Sequence, residues 1–145
     1  MTTIGFSGSR FPEDCHKLLI SEVLNELDAD HYVTGACIGV DHFVGRYLAL
    51  KQPTKKHTVI VPANRLRIAI WWIMEFPFIN VIEMPSGTTY RDRDYAIVEF
   101  PIDQLITFPQ YPEKDPRSFH SGTWLTTRIA RRANVPIRTF VLNAS

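Results

Sequence analysis

Residues 31–48 read HYVTGACIGVDHFVGRYL, and this stretch decides the fold. His31 to Thr34 is a short strand-like run that halts at Gly35. Val40, Phe43, Val44, Tyr47 and Leu48 then recur at helical spacing. A strand that passes through a glycine-bearing turn into a helix is the unit from which α/β sheets are built. Upstream, Ile4 to Phe6 repeats the pattern and is stopped by residues 7–10, SGSR. Pro12, Glu13 and Asp14 open a helix there, because Pro suits the first helical position and acids suit the positive end of the dipole. Leu18, Leu19, Val23, Leu24 and Leu27 form its apolar face.

Downstream the alternation continues. Thr58 to Val61 is a third strand, and Asn64 is the expected N-cap of a helix running through Trp71 and Trp72. Asn80 to Met84 is a fourth strand, Tyr90 to Glu99 a helix and Leu105 to Phe108 a fifth strand. Pro109 to Ser121 is a proline-rich loop, long enough to serve as a lid. Gly122 to Ala133 is a helix closed by Pro136, and Ile137 to Leu142 is a sixth strand. This order predicts one α/β domain over residues 1–145, a Rossmann-like three-layer sandwich with a mainly parallel sheet. Such sheets bind ligands outside the carboxyl ends of their strands, where strand order reverses.

Composition agrees with a globular domain: 145 residues, 45% hydrophobic and 21% charged, which excludes disorder and coiled coil. Sixteen Lys and Arg against fifteen Asp and Glu argue against a chain-wide grip on nucleic acid or anionic membrane. Cys15 and Cys37 are too few for a disulfide framework and point to a reducing, cytoplasmic setting. The greasy stretch from Ile68 to Ile79 contains Glu75 and Pro77 and falls short of the roughly 20 apolar residues that span a bilayer. Neighbouring helical positions point in different directions, so the cluster around Trp71 and Trp72 cannot be buried by one face. The Ile68–Phe78 region is therefore the expected homo-oligomer contact.

Three strand-to-helix turns share a character: Gly8-Ser9-Arg10, residues 35–41 and residues 120–123. Each offers glycine and small residues where a helix begins, so bare N–H groups can meet an anion, most naturally a phosphate. A glycine in a turn also has a purely conformational explanation. Three such turns at one sheet edge favour a phosphate-bearing ligand. Arg10, Arg91 and Arg93 sit in a turn or at a helix start, where guanidinium groups fork onto phosphate oxygens. No acidic residue follows Asp115, whereas Arg117, Arg128, Arg131, Arg132 and Arg138 do. Arg131 and Arg132 read as partners of the last helical turn.

IGFSGSR, VTGACIGVD, YRDRD and SGTW together resemble the SLOG superfamily. This Rossmann-like group contains the DNA-processing protein DprA and the LOG hydrolases, and the likeness is to its small YspA/YpsA-related branch. It covers residues 4 to about 142. The resemblance implies a pocket for a nucleotide-derived ligand such as NAD or ADP-ribose. Gly8, Ser9 and Arg10 would line the nucleotide side. Gly35, Ala36 and Asp41 match the second turn of the family, Arg91 and Arg93 its polar helix start, and Ser121, Gly122 and Thr123 its phosphate turn. LOG-type hydrolases carry PGGxGTxxE, whose Glu helps to break an N-glycosidic bond. Residues 119–126 here read FHSGTWLT, so Thr126 stands where that Glu would be.

The leading expectation is thus a sensor, carrier or sequestering protein, with no cofactor and no catalytic group. A nucleotide N-glycosidase is the alternative, with Asp41 or Asp94 as the carboxylate. Single-stranded DNA binding ranks below both, because the chain lacks a basic track. Asp92 and Asp94 also read as salt-bridge partners of Arg91 and Arg93. The five histidines show no metal-ligand spacing, so no metal site is expected. His120 is either a ligand contact or a solvated loop residue, Cys37 a small turn residue, and Trp124 a core residue.

Overall fold

The structure, a computed structural model, describes residues 1–63, 68 and 71–143. It is an α/β sandwich whose six strands are all parallel: β1 (Thr3–Gly8), β2 (His31–Gly35), β3 (Lys56–Val61), β4 (Asn80–Glu83), β5 (Gln104–Phe108) and β6 (Ile137–Thr139). Their order across the sheet is β4-β3-β2-β1-β5-β6. The chain walks outward from β1 to β4, then returns to the other side of β1. Strand order therefore reverses between β1 and β5, which is where open sheets of this kind form a crevice.

The helices are α1 (Asp14–Asn25), α2 (Val40–Lys51), α3 (Tyr90–Glu99) and α4 (Gly122–Arg132). Strand side chains alternate between faces, and the core divides accordingly. Ile4, Phe6, Tyr32, Ile106 and Phe108 pack with Ile20, Leu24, Val44 and Leu48 of α1 and α2. Val33, Ile60 and Leu105 point the other way, onto Ile97 and Val98 of α3 and Ile129 and Ala130 of α4. A third cluster gathers Val59, Val61 and Ala49 under Trp72, Phe76 and Ile79.

Helix starts are chemically marked. Thr89 caps α3 reciprocally with Asp92: Thr89 Oγ1 accepts from the Asp92 N–H, and Asp92 returns the favour to the Thr89 N–H at 2.7 Å. Asp92 is thus a capping residue, not the ion-pair partner its charged neighbours suggested. Glu13 is the N-cap of α1, so Pro12 precedes the helix instead of taking its expected first position. Ser121 caps α4, and Asn134 with φ 59° follows its end, a conformation Asn tolerates.

Three expectations are corrected, the first at β6, which ends at Thr139 where the expected sixth strand ran to Leu142. Leu18 lies on the exposed side of α1 although it fits the apolar period. Residues 71–75 form a 3-10 turn, not an α-helix, and it splits the pair: Trp72 is fully buried while Trp71 is 65% exposed. A tighter helical turn changes which side chains face inward. The expected N-cap Asn64, with residues 65–67, 69 and 70, lies outside the described residues. The loop after β5, expected to be long enough for a lid, is fastened to itself and to α4. Trp124 Nε1 donates to the Tyr111 carbonyl at 2.9 Å, Ser118 Oγ donates to the Pro112 carbonyl at 2.7 Å, and Glu113 faces both Arg128 and Arg131.

Candidate functional site at the carboxyl edge

The first two turns interlock through their backbones. The Ser9 N–H donates to the Phe108 carbonyl at 3.0 Å, and the Val40 N–H donates to the Ser9 carbonyl at 2.9 Å. Gly8 is required by this approach, since a Cβ there would lie 2.3 Å from Val40 Cγ1. Gly39, with φ 90°, meets the Arg10 backbone in the same way. Ser9 Oγ is committed within the site: it donates to Gln110 Oε1 at 2.6 Å and accepts from the Phe11 N–H.

The second turn is filled from within the protein. Arg93 reaches from α3 and places its guanidinium beneath Gly35, where a Cβ would lie 2.0 Å from Nη1. Arg93 Nη1 is 3.3 Å from Asp41 Oδ2, and Nε is 3.1 Å from Asp94 Oδ1. Asp41 Oδ2 also accepts the Cys37 N–H at 3.2 Å, which ties the turn to the first residues of α2. All three charged side chains are buried. Gly35, Asp41 and Arg93 therefore come together, but in a brace beneath the surface. Ala36 is buried beside them.

One cation between two buried carboxyls leaves the cluster short of positive charge. Burial pushes the Asp94 carboxyl up to about 6, against the pull of Arg93. Burial pushes Asp41 up as well, with Arg93 and the Cys37 N–H opposing. Burial alone would lower Arg93, but the neighbouring Asp41, Cys37 and Asp94 outweigh it and hold the guanidinium charged. The Cys37 thiol is raised by burial and by Asp41, the reverse of an activated nucleophile.

The third turn opens outward. Ser121 Oγ accepts from the Trp124 N–H at 3.2 Å, leaving Gly122 exposed at the first position of α4. Beneath it lies the brace: a Cβ on Gly122 would meet only Asp94 Oδ2, at 3.9 Å. Thr123 is buried, and Thr126 donates to the Gly122 carbonyl at 2.9 Å. Arg91 is exposed on α3 and lies over its own neighbour Tyr95, apart from Arg93. His120 is exposed and stands edge-on to Phe119.

Within or directly beside each of the three turns stands one exposed large apolar side chain: Phe11, Ile38 and Phe119, 70%, 38% and 79% exposed. Sequence reading passed over these, because a single apolar loop residue is unremarkable until the fold brings three to one edge. It also passed over the inward turn of Arg93, although a signal was present. Arg93, Asp94, Ile97 and Val98 share one helix face, so the apolar period of α3 already marked the first two as buried. Among the described residues, Glu13, Cys15 and His16 lie close enough to share an ion. His16 Nδ1, however, accepts from the Glu13 N–H at 3.0 Å, and Nε2 lies 3.1 Å from Asn143 Oδ1, so both ring nitrogens are engaged.

Fold and edge together define an α/β protein of Rossmann-like architecture with closely packed glycine turns at the carboxyl edge of its sheet. No family model, curated protein or solved structure matches the chain. No described helix is long and apolar enough to cross a membrane.

Proposed function

We propose that the protein binds a phosphate-bearing, nucleotide-derived ligand at the carboxyl edge, as a sensor, carrier or sequestering protein. One observation supports this reading: residues 8–10 and 35–41 interlock at the carboxyl edge beside the strand reversal, and Gly122, at the exposed start of α4, stands over the Arg93–Asp94 brace that reaches beneath Gly35. The phosphate belongs at the start of α4, where the dipole and N–H groups favour an anion. Arg10 supplies charge from the first turn, and Arg91 from the rim of α3. Phe11, Ile38 and Phe119 offer apolar surface to a base or ribose. Arg93 and Asp41 support the turns without touching ligand, since each is already engaged by the other. A homo-oligomer through Trp71, Met74 and Phe78, all exposed, belongs to the same reading.

A thermal-shift panel of nucleoside phosphates, NAD and ADP-ribose tests it. Ligand at ~100 times its Kd adds ~2.7 kcal/mol of stability. Gly122→Val leaves the fold intact, because the site has room for a side chain, and abolishes the shift. A shift that survives Gly122→Val, or its absence across the whole panel, overturns the proposal.

Asp94 favours a second reading, hydrolysis of a nucleotide N-glycosidic bond. A carboxyl held at about 6, directly under Gly122, suits proton donation to a departing base near neutral pH. Chromatographic release of free base, lost in Asp94→Asn, would establish this reading over simple binding.

A further inference from the structure

On the outer side of α1 and α2 lies a groove of about 470 Å³ that shares only Arg10 and Gly39 with the carboxyl edge. Small-molecule sites span roughly 300–1,000 Å³. His42, Phe43, Arg46, Tyr47 and Leu50 come from one side of α2, at the spacing that puts helical side chains in neighbouring rows. Arg10 and Lys17 face them from the first turn and α1.

The lining is chemically one-sided. Arg10, Lys17 and Arg46 bring permanent positive charge, and no carboxylate stands among the lining residues. Asp14 lies 3.2 Å from Lys17, and Glu75 lies 3.4 Å from Arg46, but both pairs are solvent-exposed. Exposed pairs hold weakly, so an incoming anion displaces them at little cost. Arg10 touches no carboxylate among the described residues and lies over the Phe11 ring. The rings of Phe43 and Tyr47 stack at 5.7 Å, with 29° between their planes. Burial lowers the His42 imidazole, Arg46 and Lys17 lower it further, and Glu75 opposes them.

A bare inorganic anion would leave the rings unused, and a neutral aromatic would leave the cations unserved. We propose that the α1–α2 groove binds a small organic anion with a flat aromatic body, its acidic head among Arg10, Lys17 and Arg46 and its ring against Phe43 and Tyr47. The site shares Arg10 and Gly39 with the carboxyl edge but rests on Lys17, Arg46 and the ring pair of α2, so it stands if the nucleotide reading falls.

The test titrates the full chain with 8-anilinonaphthalene-1-sulfonate by fluorescence, with phenyl phosphate and inorganic phosphate as competitors. The expected result is one dye per chain, displaced by phenyl phosphate and about tenfold less well by inorganic phosphate. Arg46→Glu and Lys17→Glu, each at an exposed position and checked for folding by circular dichroism, weaken the dye about tenfold. Gly122→Val, which blocks only the carboxyl edge, leaves dye affinity unchanged. Three results would each overturn the proposal. One is affinity within about twofold of the parent in both charge reversals. Another is equal displacement by inorganic phosphate. The third is binding of oligothymidylate or an acidic peptide to this face while aryl anions fail to bind.

Discussion

Arg93 and Arg46 are the same residue in opposite settings. The side chain of Arg93 is 9% exposed and faces two buried carboxyls; that of Arg46 is 44% exposed and faces one. In the buried brace the field between charges is strong, desolvation is severe, and partners cannot exchange. On the groove wall water screens the pair, and the guanidinium stays available to another anion. Charge count alone would rank the two alike. The surroundings make one a brace and the other a point of capture.

The comparison breaks most easily at Arg93. Arg93→Met leaves Asp41 and Asp94 buried with no facing cation, and denaturant unfolding at pH 8 should lose ~3–5 kcal/mol. The loss shrinks toward pH 4, where the carboxyls take up protons. A cost below ~1 kcal/mol at pH 8 would mean that the brace is not electrostatic.

Asp94 sharpens the comparison through pH. Its carboxyl in the folded protein sits at about 6, above the ordinary 3.8. Between those values the folded state holds more protons than the unfolded one, so stability falls as pH rises through this window. Above it both states are ionised, and the penalty is constant. Asp94→Asn removes this contribution, so the variant gains on the parent between pH 4 and pH 8 while Arg93 keeps Asp41 as its partner. Parallel stability profiles for the two proteins would contradict the placement of that charge.

The smallest effect belongs to the groove. Arg46→Ala breaks an exposed pair with Glu75 and should change stability by less than ~0.5 kcal/mol. Thermal melts check it, and a large loss would make Arg46 structural rather than available.

Much of the fold was legible because short-range rules govern it. Tyr90–Glu99 was bounded correctly, and β1 and β2 fell where apolar runs meet glycine, whereas β6 stops short of the expected end. Within the candidate site, the pairing of Asp94 with Arg93 was readable from their adjacency. The partner of Arg93 across 52 positions, Asp41, was not, since only strand order brings α3 beneath the turn after β2. The 3-10 turn at residues 71–75 was missed for a related reason. Local periodicity fits both helical forms, and packing of Trp72 beneath the sheet edge selects between them.

The sequence by itself determined the alternation of strand and helix and the glycines at three turns. These depend on residues within a few positions of each other, where backbone sterics and hydrogen bonding act directly. Only the tertiary structure decided which arginine turned inward, which carboxyl lost its water and which wall kept its cations free. Burial is a property of the assembled sheet and its two helical layers, and burial sets whether a charge braces the protein or meets a ligand.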